Sequence, residues 1–215
     1  MKLEGYEQWW EKNVGSSETY TYDGESHATP KLENFDSWMG DAFSADRIYV
    51  RREFNEKAKT LLDVACGTAP EYTGLQKKRP DIEYTGLDIT PKLVDYCKAK
   101  GINVVNASAN DIPFGDNSFD IVHTRHSLEH MKHFKDAIRE FIRVAKMNIY
   151  ISFFIEPVHG PSIISEITPE QDHYNNTYNK TEIEDLLKKC LKVKQFNWLT
   201  LGGKSKTLLS INLNA

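Results

Sequence analysis

The feature that most constrains the fold is the segment LLDVACGTA, which spans residues 61–69. Its first half is a short apolar run and its second half is a turn built from small residues. This pattern is typical of a buried parallel strand that leads into a helix. Small residues at such a turn let the backbone approach a ligand at the edge of an open α/β sheet. The segment therefore predicts a ligand-binding loop after the first strand of a doubly wound sheet.

Alternating strand and helix patterns continue along the chain. Further strands are predicted at 82–87, 102–105, 119–124, 148–155, 193–199 and 206–212. Helices are predicted from Thr90 to Gly101, from His133 to Lys146, and after a capping box formed by Thr181 and Glu184. This alternation predicts an α/β fold. Residues 1–55 are expected to form a cap or lid extension, and residues 56–215 the ligand-binding domain.

A carboxylate, Asp88, closes the second predicted strand about twenty residues after the loop. At this spacing a carboxylate can accept hydrogen bonds from both hydroxyls of an adenosine ribose. Dinucleotide-binding folds place an acid at the same point, but their G-x-G-x-x-G pattern requires a third glycine where this chain has Ala69-Pro70. The spacing therefore favours an adenosine ligand, and nicotinamide binding is the weaker interpretation.

A third segment, NASANDIPFGDNSFDIVHTRHSLEHM, spans residues 106–131. Together the three motifs resemble those of class I S-adenosylmethionine-dependent methyltransferases that act on small molecules. The family pattern D-x-G-x-G-x-G falls on Asp63, Ala65, Gly67 and Ala69, so two of its glycines are alanine here. The resemblance implies a Rossmann-like seven-stranded mixed sheet of order 3-2-1-4-5-7-6 with an N-terminal helical extension, and S-adenosylmethionine as the cofactor.

The resemblance also implies which residues contact the cofactor. The first loop and the end of the second strand contribute Asp63, Ala65, Cys66, Gly67, Asp88 and Ile89. Beside the adenine it places Ser108, Ala109 and Asn110, and beside the methionine part it places Thr124. In the extension, Tyr6 and Trp10 are suited to packing on the sulfonium or the adenine. Asp63 has two open interpretations, because it either contacts the cofactor through water or caps nearby backbone amides.

Methyl transfer from an activated cofactor requires mainly that the acceptor and the methyl group are aligned in a dry site. A hydroxyl acceptor benefits from a general base, and His126 is the first candidate. Other candidates are His123, His159, His173 and Glu156. His126 and His130 also share one helix face, but the sequence places no third ligand near them, so we expect no metal.

Composition limits the partners that the chain can have. Its net charge is -4, and no N/D-P-P-Y/F tetrapeptide follows the fourth strand, so nucleic acid is not the expected acceptor. The sequence shows neither a bilayer-spanning apolar run nor a secretory signal, so we expect a cytoplasmic protein without membrane contact. The oligomeric state is left open.

The sequence therefore predicts methyl transfer to oxygen or nitrogen of a small molecule, for example a sugar or a secondary metabolite. Two alternatives remain. One is a non-catalytic module that binds the cofactor, suggested by Ala65, Ala69 and Ser108. The other is a nicotinamide-dependent oxidoreductase.

Overall fold

A computed structural model describes residues 19–22, 25–28, 42–164, 174–201 and 205–214 of the 215-residue chain. Near the N-terminus, strands β1 (Thr19–Tyr22) and β2 (Glu25–Ala28) pair as an antiparallel hairpin, and helix α1 (Ala45–Glu53) follows. The expected helical extension therefore also contains a hairpin. Alternating threonine and tyrosine over residues 19–22 favour a strand, so part of this signal was present in the sequence.

The centre of the fold is a seven-stranded mixed sheet. In chain order its strands are β3 (Thr60–Val64), β4 (Glu83–Asp88), β5 (Val104–Asn106), β6 (Phe119–Arg125), β7 (Ala145–Phe153), β8 (Val193–Thr200) and β9 (Thr207–Leu213). Their spatial order is β5-β4-β3-β6-β7-β9-β8. The first five run parallel, and β9 is antiparallel to both of its neighbours. Counted within the sheet this order is 3-2-1-4-5-7-6, which confirms the Rossmann-like prediction.

Helices pack on both faces of this sheet because successive strand residues point to opposite sides. The helices that follow α1 are α2 (Pro70–Lys78), α3 (Pro91–Ala99), α4 (Phe134–Val144) and α5 (Lys180–Lys188). Leu61 packs in a core with apolar residues of α1, α2 and α3. Its neighbour Leu62 packs in a second core with residues of α4 and α5. The molecule therefore has three layers, with the parallel strands buried between the helices.

Residues 107–118 join β5 to β6 without a helix, and no helix is predicted there. One local feature differs from the sequence prediction. Helix α5 is capped by Asn179, whose side chain accepts hydrogen bonds from the amides of Thr181 and Glu182. The predicted capping box at Thr181 is therefore wrong. Asparagine is at least as good an N-cap as threonine, and it stands two residues earlier.

Helix α1 is joined to the sheet domain by buried ion pairs from Arg47 and Arg51 to Glu71 of α2. The domain boundary at residue 55 stays a prediction. In the part of the chain that the structure describes, no helix is both long and apolar enough to cross a membrane.

Candidate active site

The candidate site lies at the carboxyl ends of β3, β4 and β6, which are neighbouring parallel strands. The loop after β3 contains three residues in the left-handed conformation: Ala65 (φ 56°), Gly67 (φ 58°) and Ala69 (φ 58°). The amide of Cys66 donates to the carbonyl of Leu87 at 3.1 Å, which ties the loop to β4. The amide of Ala69 donates to the carbonyl of Cys66 at 2.9 Å, so the loop closes on itself, and its small residues let a ligand approach the backbone.

Alanine is strained in this conformation, because the left-handed region places Cβ close to the following carbonyl oxygen. We expect Ala65→Gly to raise the free energy of unfolding by up to about 1 kcal/mol, the relieved strain less the larger entropy loss of glycine. Urea denaturation measures this. Ala58→Gly is the matched control. Ala58 has no positive φ, so this variant relieves no strain and should be less stable than the unmodified protein. A destabilised Ala65→Gly variant would contradict the strain argument.

Asp88 stands at the end of β4 with its carboxylate buried against the loop. One oxygen accepts from the amide of Gly67 and the other from the amide of Thr90, both at 2.9 Å. Burial raises the pKa of this carboxyl, against the lowering effect of these two hydrogen bonds. The side chain of Thr90 also hydrogen-bonds this carboxylate. A carboxylate has about four lone-pair sites, so Asp88 can hold the loop in place and still accept a hydrogen bond from a ligand hydroxyl.

The residues predicted beside the adenine follow β5, whose last residue, Asn106, is bonded to the end of β4. Asn106 donates from its side chain to the carbonyls of Asp88 and Ile89, at 3.0 and 2.9 Å. Ser108 accepts from the amide of Asn110 at 3.2 Å. The side chain of Asn110 donates to the carbonyl of His133 at 3.3 Å, which ties this turn to the start of α4. Ser108, Ala109 and Asn110 are all half-buried. Their predicted contact with the adenine stays a prediction.

Asp63 lies at the centre of the sheet and is buried. Its carboxylate accepts from the hydroxyl of Tyr84 at 2.9 Å, and its other oxygen is 3.1 Å from Nδ1 of His123. The carboxylate thus links β3 to β4 and β6, and among the described residues it caps no backbone amide. Its predicted contact with the cofactor stays a prediction. His123 is buried and engaged by Asp63, so it is not placed to act as a base.

The end of β6 completes the site. Thr124 is buried and its hydroxyl donates to the carbonyl of Val64 at 2.8 Å. His126 follows in the left-handed conformation (φ 53°), and its amide donates to the carbonyl of Ser152 at 2.9 Å. Its Nε2 lies 2.8 Å from Oγ of Ser205. Burial, together with the nearby Arg125, lowers the pKa of His126 to about 3, so the ring is neutral near pH 7.

Comparison with known proteins identifies this arrangement. Residues 62–153 match a family model described as a methyltransferase domain. They contain the loop, Asp88, the turn at Ser108 and the end of β6. This part of the chain, somewhat under half of its length, is similar to methyltransferase domains. The cofactor that this similarity implies is S-adenosylmethionine.

Relatives of the methyltransferase domain differ in their acceptors. A phthiotriol/phenolphthiotriol dimycocerosates methyltransferase of Mycobacterium tuberculosis is 29% identical over 99 residues, which are 44% of this chain and 37% of the relative. Ajmaline N-methyltransferase of Rauvolfia serpentina is 33% identical over 98 residues (42% and 33%). Demethylmenaquinone methyltransferase of Staphylococcus aureus is 30% identical over 115 residues (49% and 48%). The matched segments span less than half of each relative.

Solved structures share the fold of the methyltransferase domain at low identity. A putative methyltransferase of Haloferax volcanii, solved with the Trm112 methyltransferase activator, aligns with a TM-score of 0.62 at 17% identity, covering 85% of this chain and 96% of that one. DesVI of Streptomyces venezuelae aligns with a TM-score of 0.62 at 16% identity, covering 81% and 92%. These likenesses extend the shared fold well beyond residues 62–153.

The residues of the methyltransferase domain fit its cofactor. The left-handed loop keeps only small side chains beside the end of β3. Within it, the hydroxyl of Thr68 is buried and has no hydrogen-bond partner among the described residues. A buried orphan hydroxyl in a ligand loop is typical of a site that a polar ligand completes. The carboxylate of Asp88 also keeps acceptor capacity for a ligand hydroxyl. Tyr6 and Trp10, the predicted aromatic contacts, lie outside the described residues.

Some residues of the site could not be found from sequence patterns. Ser205 is hydrogen-bonded to His126, and Asp46 is hydrogen-bonded to Ser205. Ser205 is 79 residues from His126 and 159 residues from Asp46 in the sequence. No motif signals contacts at such separations. Of the remaining base candidates, His159 and Glu156 are exposed after β7, and His173 lies outside the described residues.

Each histidine of the pair considered for metal has a partner within the protein. Nδ1 of His130 lies 2.6 Å from the carbonyl of Tyr174, and Nε2 of His126 lies 2.8 Å from Oγ of Ser205. In the described ranges no three His, Cys, Asp or Glu side chains are grouped as a metal ion would require. That the protein works without metal stays a prediction.

Proposed function

We propose that this protein transfers the methyl group of S-adenosylmethionine to an oxygen or nitrogen of a small molecule. One observation carries the proposal. The left-handed loop, Asp88 and His126 lie at the carboxyl ends of three adjacent parallel strands, where open α/β sheets bind ligands. A cofactor held on β3 and β4 would present its reactive end toward β6. There His126, which is neutral, can receive a proton.

In this scheme the chain's own residues bind the cofactor, hold the base in position and move a proton. When bound, S-adenosylmethionine supplies a methyl group on a positively charged sulfur. Asp88 would accept from the ribose, and the small residues of the Ala65–Ala69 loop would let the rest of the cofactor approach the backbone. Buried Thr124 holds the end of β6 against β3, which sets the distance between loop and base. His126 accepts the proton that the acceptor loses. Such a site acts mainly by alignment and by excluding water.

Support for a small-molecule acceptor comes from the relatives, whose names specify phthiotriols, ajmaline and demethylmenaquinone. These acceptors differ from one another, so none is transferred to this chain. The net charge of -4 also disfavours a polyanionic acceptor such as nucleic acid. A cytoplasmic location belongs to the same proposal.

Asp88→Ala tests the proposed cofactor site. Loss of a charged hydrogen-bond acceptor should weaken binding of S-adenosylmethionine by on the order of 1.5 to 3 kcal/mol, roughly 10- to 150-fold. Isothermal titration calorimetry with S-adenosylmethionine and S-adenosylhomocysteine measures this, with NADH as the competing ligand class. Asp95→Ala is the control, because it removes an exposed carboxylate from the adjacent helix α3.

Two outcomes of the titration, and one of a turnover assay run beside it, would contradict the proposal. An unchanged affinity of Asp88→Ala for S-adenosylmethionine would mean that the ribose does not bind at the end of β4. Binding of NADH in place of the sulfur compounds would favour an oxidoreductase. Tight binding of S-adenosylmethionine without turnover across a panel of hydroxyl and amine acceptors would favour the non-catalytic module.

A further inference from the structure

A chain of three polar side chains ends on His126. Nε2 of His126 lies 2.8 Å from Oγ of Ser205, and that oxygen lies 2.5 Å from Oδ2 of Asp46. The same carboxylate accepts from Nε of Arg125 at 2.9 Å. Asp46 begins α1 and Ser205 precedes β9, and both are buried. Helix α1 and the segment before β9, which are far apart in the sequence, therefore meet beside the candidate base.

Hydrogen counting fixes the direction of these bonds. Burial acts to raise the pKa of Asp46, but the hydrogen bond from Ser205 and the charge of Arg125 hold it well below the usual range. An ionised carboxylate only accepts, so the one hydroxyl hydrogen of Ser205 is donated to Asp46. The oxygen of Ser205 must then accept in its bond with His126. Nε2 of the neutral ring therefore carries the hydrogen, and Nδ1 carries the lone pair.

We propose that Ser205 and Asp46 are positioning residues that hold His126 as the Nε2–H tautomer and so direct Nδ1 to the proton of the methyl acceptor. This inference rests on the proposed function. In the step, the acceptor atom forms a bond to the methyl carbon, and the bond from that carbon to sulfur breaks with its electron pair left on sulfur. The acceptor's proton moves to Nδ1, from which it is later released to water.

The surroundings of His126 suit this role. The backbone of the residue is held by its bond to Ser152, and the ring packs against Phe154 with centroids 5.4 Å apart. The charged and titratable groups that act on the ring are Arg125, Asp46, Arg47 and His130. A hydroxyl that is gaining a methyl group becomes strongly acidic, so a weakly basic ring can accept its proton. As the ring becomes positive, the path through Ser205 to Asp46 stabilises it.

Nitrogen NMR of the histidine rings tests the tautomer directly and needs no acceptor. In the full-length protein labelled with 15N-histidine, two-bond proton–nitrogen spectra at pH 7 should show His126 with a protonated Nε2 and an unprotonated Nδ1, by at least tenfold over the other tautomer. The signal is assigned by its loss in His126→Gln. A protonated Nδ1, or a positively charged ring, in the unmodified protein would overturn the proposal without any variant.

Variants then test Ser205. In Ser205→Ala the tenfold preference should be lost, and Ser205→Thr, which keeps the hydroxyl, should restore it. Ser118→Ala removes a surface hydroxyl that donates to Gly115 and should leave the His126 signal unchanged. An unchanged tautomer in folded Ser205→Ala would also overturn the proposal. Calorimetry with S-adenosylmethionine tests the proposed function separately from the tautomer of His126. Failure to bind S-adenosylmethionine would refute the proposed function, whereas the tautomer is decided by the NMR spectra.

Discussion

The Glu71→Gln variant is expected to lose about 3 to 5 kcal/mol of its free energy of unfolding. Glu71 stands in the first turn of α2 and is almost completely buried. One carboxylate oxygen accepts from Arg51 at 2.8 Å and the other from Arg47 at 3.1 Å. Both guanidinium groups are themselves buried. Removing the charge of Glu71 leaves two buried cations without their common partner, and a buried uncompensated charge is strongly destabilising.

The packing around Arg51 gives a second way to break this contact. A Cβ atom on Gly74 of α2 would lie 2.3 Å from one terminal nitrogen of Arg51, so Gly74→Ala must displace the guanidinium from Glu71. Arg51 also donates to the carbonyl of Ala42 at 2.5 Å. We therefore expect Gly74→Ala to lower the free energy of unfolding as well. The double variant with Glu71→Gln and Gly74→Ala should lose less free energy of unfolding than the sum of the two single losses.

Urea denaturation followed by circular dichroism measures both losses. Asp136→Asn is the matched control, because it breaks an ion pair with Arg139 in which both side chains are more than half exposed. Exposed pairs contribute little, so this variant should unfold close to the unmodified protein. If Glu71→Gln behaves like Asp136→Asn, the buried pairs do not hold α1 to α2.

The second large effect concerns Glu129, whose burial should make the protein less stable as the pH rises from about 4.5 to about 7. Glu129 lies in the short 3-10 turn Leu128–His130 after β6 and is fully buried. Burial raises its pKa to about 7, although hydrogen bonds from backbone amides act to lower it. One oxygen accepts from the amides of Phe154 and Ile155, at 2.6 and 3.2 Å. The other has no hydrogen-bond partner among the described residues.

The sign follows from proton binding. The folded-state pKa of Glu129 lies above the ordinary value of 4.5, so between these values the native state binds more protons than the unfolded chain. This contribution to stability is fully present below pH 4.5 and is lost as the pH rises through about 7. A unit of pKa is worth about 1.4 kcal/mol, so the loss attributable to Glu129 is on the order of 3 kcal/mol.

Glu129→Gln isolates this contribution. The amide oxygen of glutamine can still accept from Phe154 and Ile155, and the side chain stays neutral at every pH. The free energy of unfolding, measured at intervals from pH 4.5 to 8, should therefore fall less for the variant than for the unmodified protein. Glu53→Gln removes the same charge from an exposed position on α1 and should keep the original slope. Parallel profiles for Glu129→Gln and the unmodified protein would mean that Glu129 stays ionised throughout this range.

Local patterns in the sequence were sufficient for the seven strands of the sheet, for helices α3, α4 and α5, and for the loop after β3. The run Leu61–Val64 and the stripe on α4 report burial over one strand or a few helical turns, which periodicity detects directly. The small residues after β3 and the carboxylate at Asp88 mark the ends of neighbouring strands, and the structure places them together. The order of the sheet came from the family resemblance, since periodicity carries no information about which strands are neighbours.

Only the tertiary structure decided what these residues touch. Asp88 holds the amide of Gly67, Asp63 is bound to Tyr84 and His123, and His126 is joined to Asp46 through Ser205. The last of these contacts requires α1 and the approach to β9 to meet at the end of β6. A sequence pattern reports neighbours within one element, whereas such a contact depends on how separate elements pack. For this reason the sequence patterns by themselves determined the elements of the sheet domain and the loop, whereas the packing of α1 and of the segment before β9 determined the surroundings of the candidate base.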